Sequence, residues 1–429
     1  MGAMKVLITN AYSSRNKGDA AILLGMLADL GSQELFRRAE FAISTAAYPD
    51  DATAYPCRVV SSFHALKQRF TRCRPVQCLG FVLLILPWSL LWAWIWRRWH
   101  VDLPAPQPWR ELFRQYAEAD LVVAAGGGYL YTRSAWRGNL MLLITVFSFR
   151  FGSLLGKPVY LYAQSIGPFE AEFQAALVRC ALQRTRLILV REEISMGFVA
   201  SWKLPCPVRM AGDAAFLLPT TAERDLAARL PPSRRRVGMT VRQWSKKVEE
   251  QEHFEAAITQ LIDWIVASGE SLVVLIPQVT FAAWEDDDRE VMRRIYAQVH
   301  AKNRVVLIED DLSALRVKAL CGEMDFFIGT RMHSNLFALS MEVPAIAIGY
   351  QPKSLGIMRQ LGLERWVIPW EGVTLERLQA GFEDLVQKAE EVRAELSRKL
   401  PEMISSARLN GQWIAEDYRL LRARPPVGF

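Results

Sequence analysis

Short apolar runs recur along this chain, and most stop at a glycine or a cluster of polar residues. Val6–Thr9 stops at Asn10, and Leu121–Ala125 at Gly126-Gly127-Gly128. Val159–Ala163 stops at Gln164-Ser165-Ile166-Gly167-Pro168, and Leu187–Val190 at Arg191-Glu192-Glu193. The same form returns at Val237–Val241, Leu272–Ile276, Val305–Ile308, Phe326–Ile328 and Ala345–Ile348. Amphipathic stretches lie between them, at Ala20–Leu30, Phe169–Gln183, His253–Ala267, Asp288–Ala301 and Leu312–Cys321. Short apolar runs bounded by turn residues read as strands buried on both faces. Buried strands alternating with helices predict a parallel sheet covered on both sides. The units fall into two sets, 1–218 and 236–429, separated by a polar connection containing Pro231-Pro232-Ser233. The expected fold class is therefore α/β, with two Rossmann-like doubly wound domains facing a cleft. In such sheets ligands sit beyond the C-terminal strand ends, where the glycines and polar residues collect here.

One segment falls outside this pattern. Gln77–Trp96 carries no charge over 20 residues, long enough by itself to cross a bilayer. Crossing would strand the first β-run on the far side from the sheet it should join. Basic residues flank both ends: Lys67, Arg69, Arg72 and Arg74 before, Arg97 and Arg98 after. The positive-inside rule then places both flanks in the cytosol. Pro87 should kink or break a helix at mid-segment, and Trp88, Trp92, Trp94 and Trp96 suit a membrane interface. The expectation is a membrane-associating insertion over 77–99 that dips into the surface; a buried hairpin or dimer contact and a true span are the alternatives. The net charge of +7 is spread along the chain rather than gathered in one block, so no nucleic-acid partner is expected. The six cysteines form no CxxC pair. Lys5 leads directly into the first strand, with no secretory pattern before it, so a cytoplasmic, reducing setting is expected.

The motif richest in chemistry is Gly329-Thr330-Arg331-Met332-His333-Ser334-Asn335, where a strand ends and a helix begins. Free N–H groups at such a helix start favour an anion. Arg331 can grip a carboxylate or phosphate with two parallel bonds, and the intrinsic pKa of an imidazole makes His333 a candidate for proton transfer near neutrality. The loop Asn10–Asp19 brings Asn16, Lys17 and Gly18 close to a ligand, with Asp19 expected to cap the following helix. It lacks both the Walker ending and the GxGxxG fingerprint. Gly127 and Gly128 permit close backbone approach. Ser165, Arg191, Arg242, Ser334 and Lys353 complete the candidate binding set, with Gly212-Asp213 nearby in the series. The acidic run Asp286-Asp287-Asp288 reads as a cap on a helix start. Counting Arg191, Arg242, Arg331 and Lys353, the site suits a small, multiply charged anion. No HxH, HExxH or DxD lies at a strand end, so no metal is expected.

In this order, Asn16-Lys17-Gly18-Asp19, Gly126-Gly127-Gly128, Ser165-Ile166-Gly167-Pro168, Arg191-Glu192-Glu193-Ile194-Ser195, Gly212-Asp213 and Gly329-Thr330-Arg331-Met332-His333-Ser334 resemble the polysaccharide pyruvyl transferase family. The resemblance covers residues 4–370 and leaves out the apolar insertion. It implies a GT-B-like fold, phosphoenolpyruvate as donor, no cofactor, and a sugar hydroxyl pair, on a polysaccharide or polyprenyl-linked repeat unit, as acceptor. It maps the family's basic and histidine positions onto Arg191, Arg331, His333 and Lys353. A mechanism consistent with these residues has His333 and Arg331 as catalytic residues with Asp19, or else Asp213, as the other proton-transfer partner; the acceptor is expected on the first domain and phosphoenolpyruvate on the second. Two other readings remain at this point. One is a nucleotide-sugar glycosyltransferase of the same fold; the other is a non-catalytic scaffold of a polysaccharide assembly complex. A homo-oligomer is compatible with either.

Overall fold

The computed structural model describes residues 3–71, 80–131, 136–220, 228, 230–282, 286–349 and 352–423. The chain forms two units. The first comprises Met1–Ser14, Ile22–Leu217 and Ser405–Phe429; the second comprises Arg15–Ala21 and Leu218–Ile404. Arg15–Ala21 groups with the second unit and Ser405–Phe429 with the first.

The first unit is built on β1 (Lys5–Ala11), β2 (Glu40–Thr45), β3 (Arg58–Ser61), β4 (Leu121–Ala124), β5 (Gly127–Leu130), β6 (Val159–Ile166), β7 (Leu187–Val190) and β8 (Val208–Met210). Their order is β3-β2-β1-β4-β6-β7-β8, with β5 paired to β6, and every pairing is parallel. The second is built on β9 (Arg235–Thr240), β10 (Ser271–Leu275), β13 (Val305–Leu307), β14 (Phe326–Gly329), β15 (Ala345–Ile348) and β16 (Val367–Ile368). Its order is β13-β10-β9-β14-β15-β16. Counted along the chain, these six strands lie 3-2-1-4-5-6, the doubly wound order whose ligand position is the point where the order reverses. That point is β9 beside β14. The short antiparallel pair β11 (Thr280–Phe281) and β12 (Asp286–Asp287) stands apart from the main sheet.

Two loop expectations are corrected here. Gly127–Leu130 is a strand, and β6 runs on through Gln164 and Ser165 to Ile166. Hydrogen bonds hold both polar side chains in this fully buried strand: Gln164 Nε2 donates to the Tyr129 hydroxyl at 2.7 Å, though its Oε1 has no partner among the described residues, and Ser165 Oγ accepts from Arg191 Nε at 2.8 Å.

The apolar segment packs as a π-helical stretch, Phe81–Ile85, running into an α-helix, Leu86–Trp99. Pro87 therefore does not break it. It sits in the first turn of the α-helical part, directly after the π-helical stretch Phe81–Ile85, and this local departure from α-geometry accompanies the proline. Phe81, Ile85, Leu86, Trp92 and Ala93 belong to the core of the first unit. Trp92 is fully buried, stacks on Trp96 with centroids 5.2 Å apart, and meets Phe113 at 5.0 Å. The other side of the same helix leaves Leu83, Leu84, Leu90, Leu91, Trp94 and Trp99 exposed. Residues 77–79 of this segment, and the side chains of Arg69, Arg72 and Arg74, lie outside the described residues.

The part of the C-terminal helix Ala389–Ala423 from Ser405 on belongs to the first unit and is held within it by buried polar bonds. Asp29 accepts from the Tyr162 hydroxyl and from Gly411 N, while Asn410 bonds Ala163 N and Gly212 O. Burial raises the Asp29 pKa to about 6, against the pull of the Tyr162 bond. With the folded value above the unfolded one, ionising Asp29 costs stability. That cost is absent below about pH 4 and fully present above about pH 6, and it corresponds to roughly 3 kcal/mol. Asp29→Asn keeps one oxygen for Tyr162 and Gly411 and removes the charge. The variant should be more stable than wild type at pH 7.5 in urea titrations, with the advantage fading as pH falls from 6 to 4. A pH-independent difference would refute this account.

Candidate active site

At the reversal point of the second sheet, β9 ends at Thr240 and β14 ends at Gly329. Thr240 and Thr330 bond each other's backbone, and Thr240 Oγ1 lies 2.7 Å from Ser334 Oγ. Ser334 Oγ also donates to Arg331 O, and Asn335 Nδ2 to Gly329 O. Ser334 is fully buried and spent on these bonds. It stitches the strand end to the helix Met332–Leu339 and holds Arg331 at that helix's N-cap.

Arg331 is paired. Its Nη2 lies 2.5 Å from Asp286 Oδ1 and 2.6 Å from Asp288 Oδ1, with Nε 3.1 Å from Asp288 Oδ1. Asp288 is 1% exposed, and its other oxygen accepts from Gln278 N at 3.0 Å and Val279 N at 2.9 Å. Burial works against the Arg331 charge, but the two carboxylates more than offset it and hold its pKa above the ordinary value. Burial likewise pushes Asp288 up, opposed by Arg331 and the Val279 N–H. The acidic run is therefore more than a cap. Asp287 alone caps the helix Asp288–Gln298, accepting from Arg289 N, while its two neighbours hold Arg331. Among the described residues, the Arg331 Nη1 group makes no hydrogen bond, and it is the part of the guanidinium left for a ligand.

The loop around Asn16 joins this cluster within the second unit. The helix Lys17–Ser32 begins two residues before Asp19, so Asp19 is not its cap. Asn16 fills that role: Gly18 N donates to its Oδ1 at 3.1 Å and Ala20 N to its carbonyl at 3.0 Å. Lys17 N donates to Gln278 O, and Asn16 bridges to Val279. Lys17 Nζ is buried and reaches Asp311 at 2.5 Å and Thr280 Oγ1 at 3.2 Å. Burial lowers the Lys17 pKa, and Asp311 partly restores it. Gly18 lies flat against His333: a Cβ built there would fall 2.3 Å from His333 Nδ1. Only glycine permits that approach. The two motifs that sequence singled out most strongly, some 300 residues apart, thus form one site with the Arg331–Asp288 pair beside it. Gln278, Asp288, Asp311 and Thr280 are the members that sequence reasoning missed. Arg242 follows β9, its Nε donating to Gln243 O. Lys353 lies at the start of the helix Pro352–Gln360, and its side chain is outside the described residues.

The first unit holds a second polar cluster. Arg191 is 6% exposed; it donates to Ser165 Oγ and, through Nη1, to Asp213 Oδ2 at 2.6 Å. Ser165, Arg191 and Asp213 are committed to one another beside β6 and β7, so the Arg191 charge is already answered. Gly127, with φ 136°, begins β5, and Gly128 follows it. Near the end of β1, Asn10 (φ 65°) donates to Thr145 O at 2.9 Å, and His64 Nε2 lies 3.0 Å from Thr145 Oγ1. Burial lowers the His64 pKa to about 4, which keeps it neutral.

A family model described as polysaccharide pyruvyl transferase matches residues 16–352 of the chain. The amylovoran biosynthesis protein AmsJ of Erwinia amylovora is 22% identical, with 96% of this chain and 99% of that protein covered. Among solved structures, a UDP-GlcNAc 2-epimerase from Neisseria meningitidis bound to UDP-GlcNAc is similar at a TM-score of 0.61 and 13% identity, covering 98% and 100% of the two chains. Os79 from O. sativa in complex with UDP is similar at 0.59 and 10%, covering 97% and 100%. At such identities these two structures show the fold, which is of the GT-B type.

Proposed function

The chain belongs to the polysaccharide pyruvyl transferase family and is an enzyme of that kind; from that premise we propose that it moves the enolpyruvyl unit of phosphoenolpyruvate onto two hydroxyls of a sugar, forming a cyclic ketal on a polysaccharide or lipid-linked repeat unit. The observation that supports this reading is the close seating of Gly18 on His333 beside the Arg331–Asp288 pair. It fixes a titratable imidazole and an oriented guanidinium in one place, which a scaffold would not need.

A proton adds to the methylene carbon of phosphoenolpyruvate, leaving an oxocarbenium-like centre at the adjacent carbon. A sugar hydroxyl forms a C–O bond there and gives its proton to a base. The second hydroxyl attacks the same carbon and loses its proton, the bond from that carbon to the phosphate oxygen breaks, and the phosphate leaves carrying that proton as hydrogen phosphate. His333 takes one proton-transfer role, with Asp19 as the other partner. Arg331 presents its Nη1 edge to the donor, and Lys353 adds charge. Gly127, Gly128, Ser165 and Arg191 are proposed to shape the acceptor side. Calorimetry on the wild-type protein should show phosphoenolpyruvate binding. Binding of a uridine or guanosine nucleotide sugar in its place would favour the glycosyltransferase reading.

The helix over Phe81–Trp99 supports a membrane-surface location for the acceptor. It is the one described helix long and apolar enough to cross a membrane. Yet its inner face is part of a protein core, and crossing would pull Trp92 out of that core. A helix with one face in protein and the other apolar and exposed fits a bilayer surface, at the cytoplasmic side. Arg97 and Arg98, exposed in its last turn, add about 1 kcal/mol each toward an anionic leaflet. The protein should float with anionic liposomes. A triple Leu83→Ser, Leu84→Ser, Trp94→Ser variant should partition at least roughly tenfold less; unchanged flotation would remove the membrane from the account.

A further inference from the structure

Gln278 lies three residues past the end of β10, where the two halves of the second unit's site meet. Its backbone is held on both sides: its N–H donates to Asp288 Oδ2, and its carbonyl accepts from Lys17 N. Its side chain is treated quite differently. The residue is 1% exposed, and among the described residues neither Nε2 nor Oε1 has a hydrogen-bond partner. Buried amides are almost always bonded, because an unpaired donor or acceptor bears the full loss of its hydration. Here both ends of one amide are left over, on a residue whose neighbours along the chain, Val279 and Thr280, are fully bonded.

The charges around it say what the amide suits. Arg331 is neutralised by Asp286 and Asp288, and Lys17 by Asp311. A small oxyanion arriving here meets cations already answered by carboxylates. The neutral N–H groups of an unspent amide then supply hydrogen bonds without adding charge.

We infer that Gln278 contacts the donor substrate, its Nε2 donating to an oxyanion oxygen of phosphoenolpyruvate at the site formed by Gly18, Arg331 and His333. This rests on the donor proposed above. Gln278 is a binding residue, fixing the donor's orientation, and no proton passes through it.

The test is calorimetry with the full-length protein, using phosphoenolpyruvate, inorganic phosphate and pyruvate as probes. Gln278→Glu keeps the shape and replaces the N–H donors with a charged oxygen. It should weaken phosphoenolpyruvate binding by about 10- to 100-fold. Weakening shared by inorganic phosphate places the contact on the phosphate; weakening shared by pyruvate places it on the carboxylate. Gln278→Leu should lose the same binding while the ligand-free protein melts within about 3 °C of wild type, because no internal bond is lost. Wild-type affinity in both variants would overturn the inference. A wild-type protein that binds no phosphoenolpyruvate would overturn the donor reading itself, and this inference with it.

Discussion

Replacing Asp288 with alanine is expected to cost about 3–5 kcal/mol of folding stability and to abolish turnover. The substitution removes the acceptor for four donors at once: Gln278 N, Val279 N, and the Nε and Nη2 of Arg331. What remains is a nearly buried guanidinium with one carboxylate instead of two, and two backbone N–H groups with no acceptor. Breaking a buried pair on one side is far more damaging than the pair is worth, because the surviving charge stays out of water. Asp286 offers the comparison. Its side chain is 35% exposed, and among the described residues it accepts only from Arg331. Asp286→Ala should cost no more than about 1 kcal/mol, as for pairs open to solvent. Urea unfolding midpoints at constant slope read both. Equal costs for the two variants would mean that Asp288 is not the anchor.

Gly18→Ala is expected to lower turnover by about 100-fold, the scale of effect that a misplacement near 1 Å produces. The new methyl carbon would stand 2.3 Å from His333 Nδ1, 2.6 Å from Cγ and 2.9 Å from Cβ. None of these is the loose end of a flexible chain, since His333 sits in the first turn of the helix Met332–Leu339. Either the imidazole or the Arg15–Ala21 segment must move. The overpacking should also cost about 1–3 kcal/mol of stability. Gly31, on the same helix, would meet nothing within 4 Å. Gly31→Ala should leave turnover alone and stabilise by up to about 1 kcal/mol through helix propensity. Normal turnover in Gly18→Ala would show that His333 does not need its present position.

The strands most visible in the sequence were those with uninterrupted apolar runs. Leu187–Val190 and Ala345–Ile348 coincide with β7 and β15 residue for residue. The strands that went unseen carry polar or charged residues, as Glu40–Thr45 and Arg58–Ser61 do. Their neighbours in the sheet, not their own pattern, make them strands. Arg331 and His333 were legible because they follow a strand end. Their partners were not. Asp288 reads as one more acid at a helix start, and only the fold shows that it faces Arg331. Counting cations along the sequence therefore overstated the free positive charge: Arg191 and Arg331 each carry a buried carboxylate partner. Gln278 gives no signal at all in sequence. Its importance lies in what it fails to bond.

The central claim is tested most directly by phosphate release from phosphoenolpyruvate, with purified protein in detergent and a panel of lipid-linked and simple sugar acceptors. The account predicts release that depends on an acceptor and falls by at least about 100-fold in His333→Gln. Sugar transfer from a nucleotide sugar, with phosphoenolpyruvate inert toward every acceptor, would contradict it.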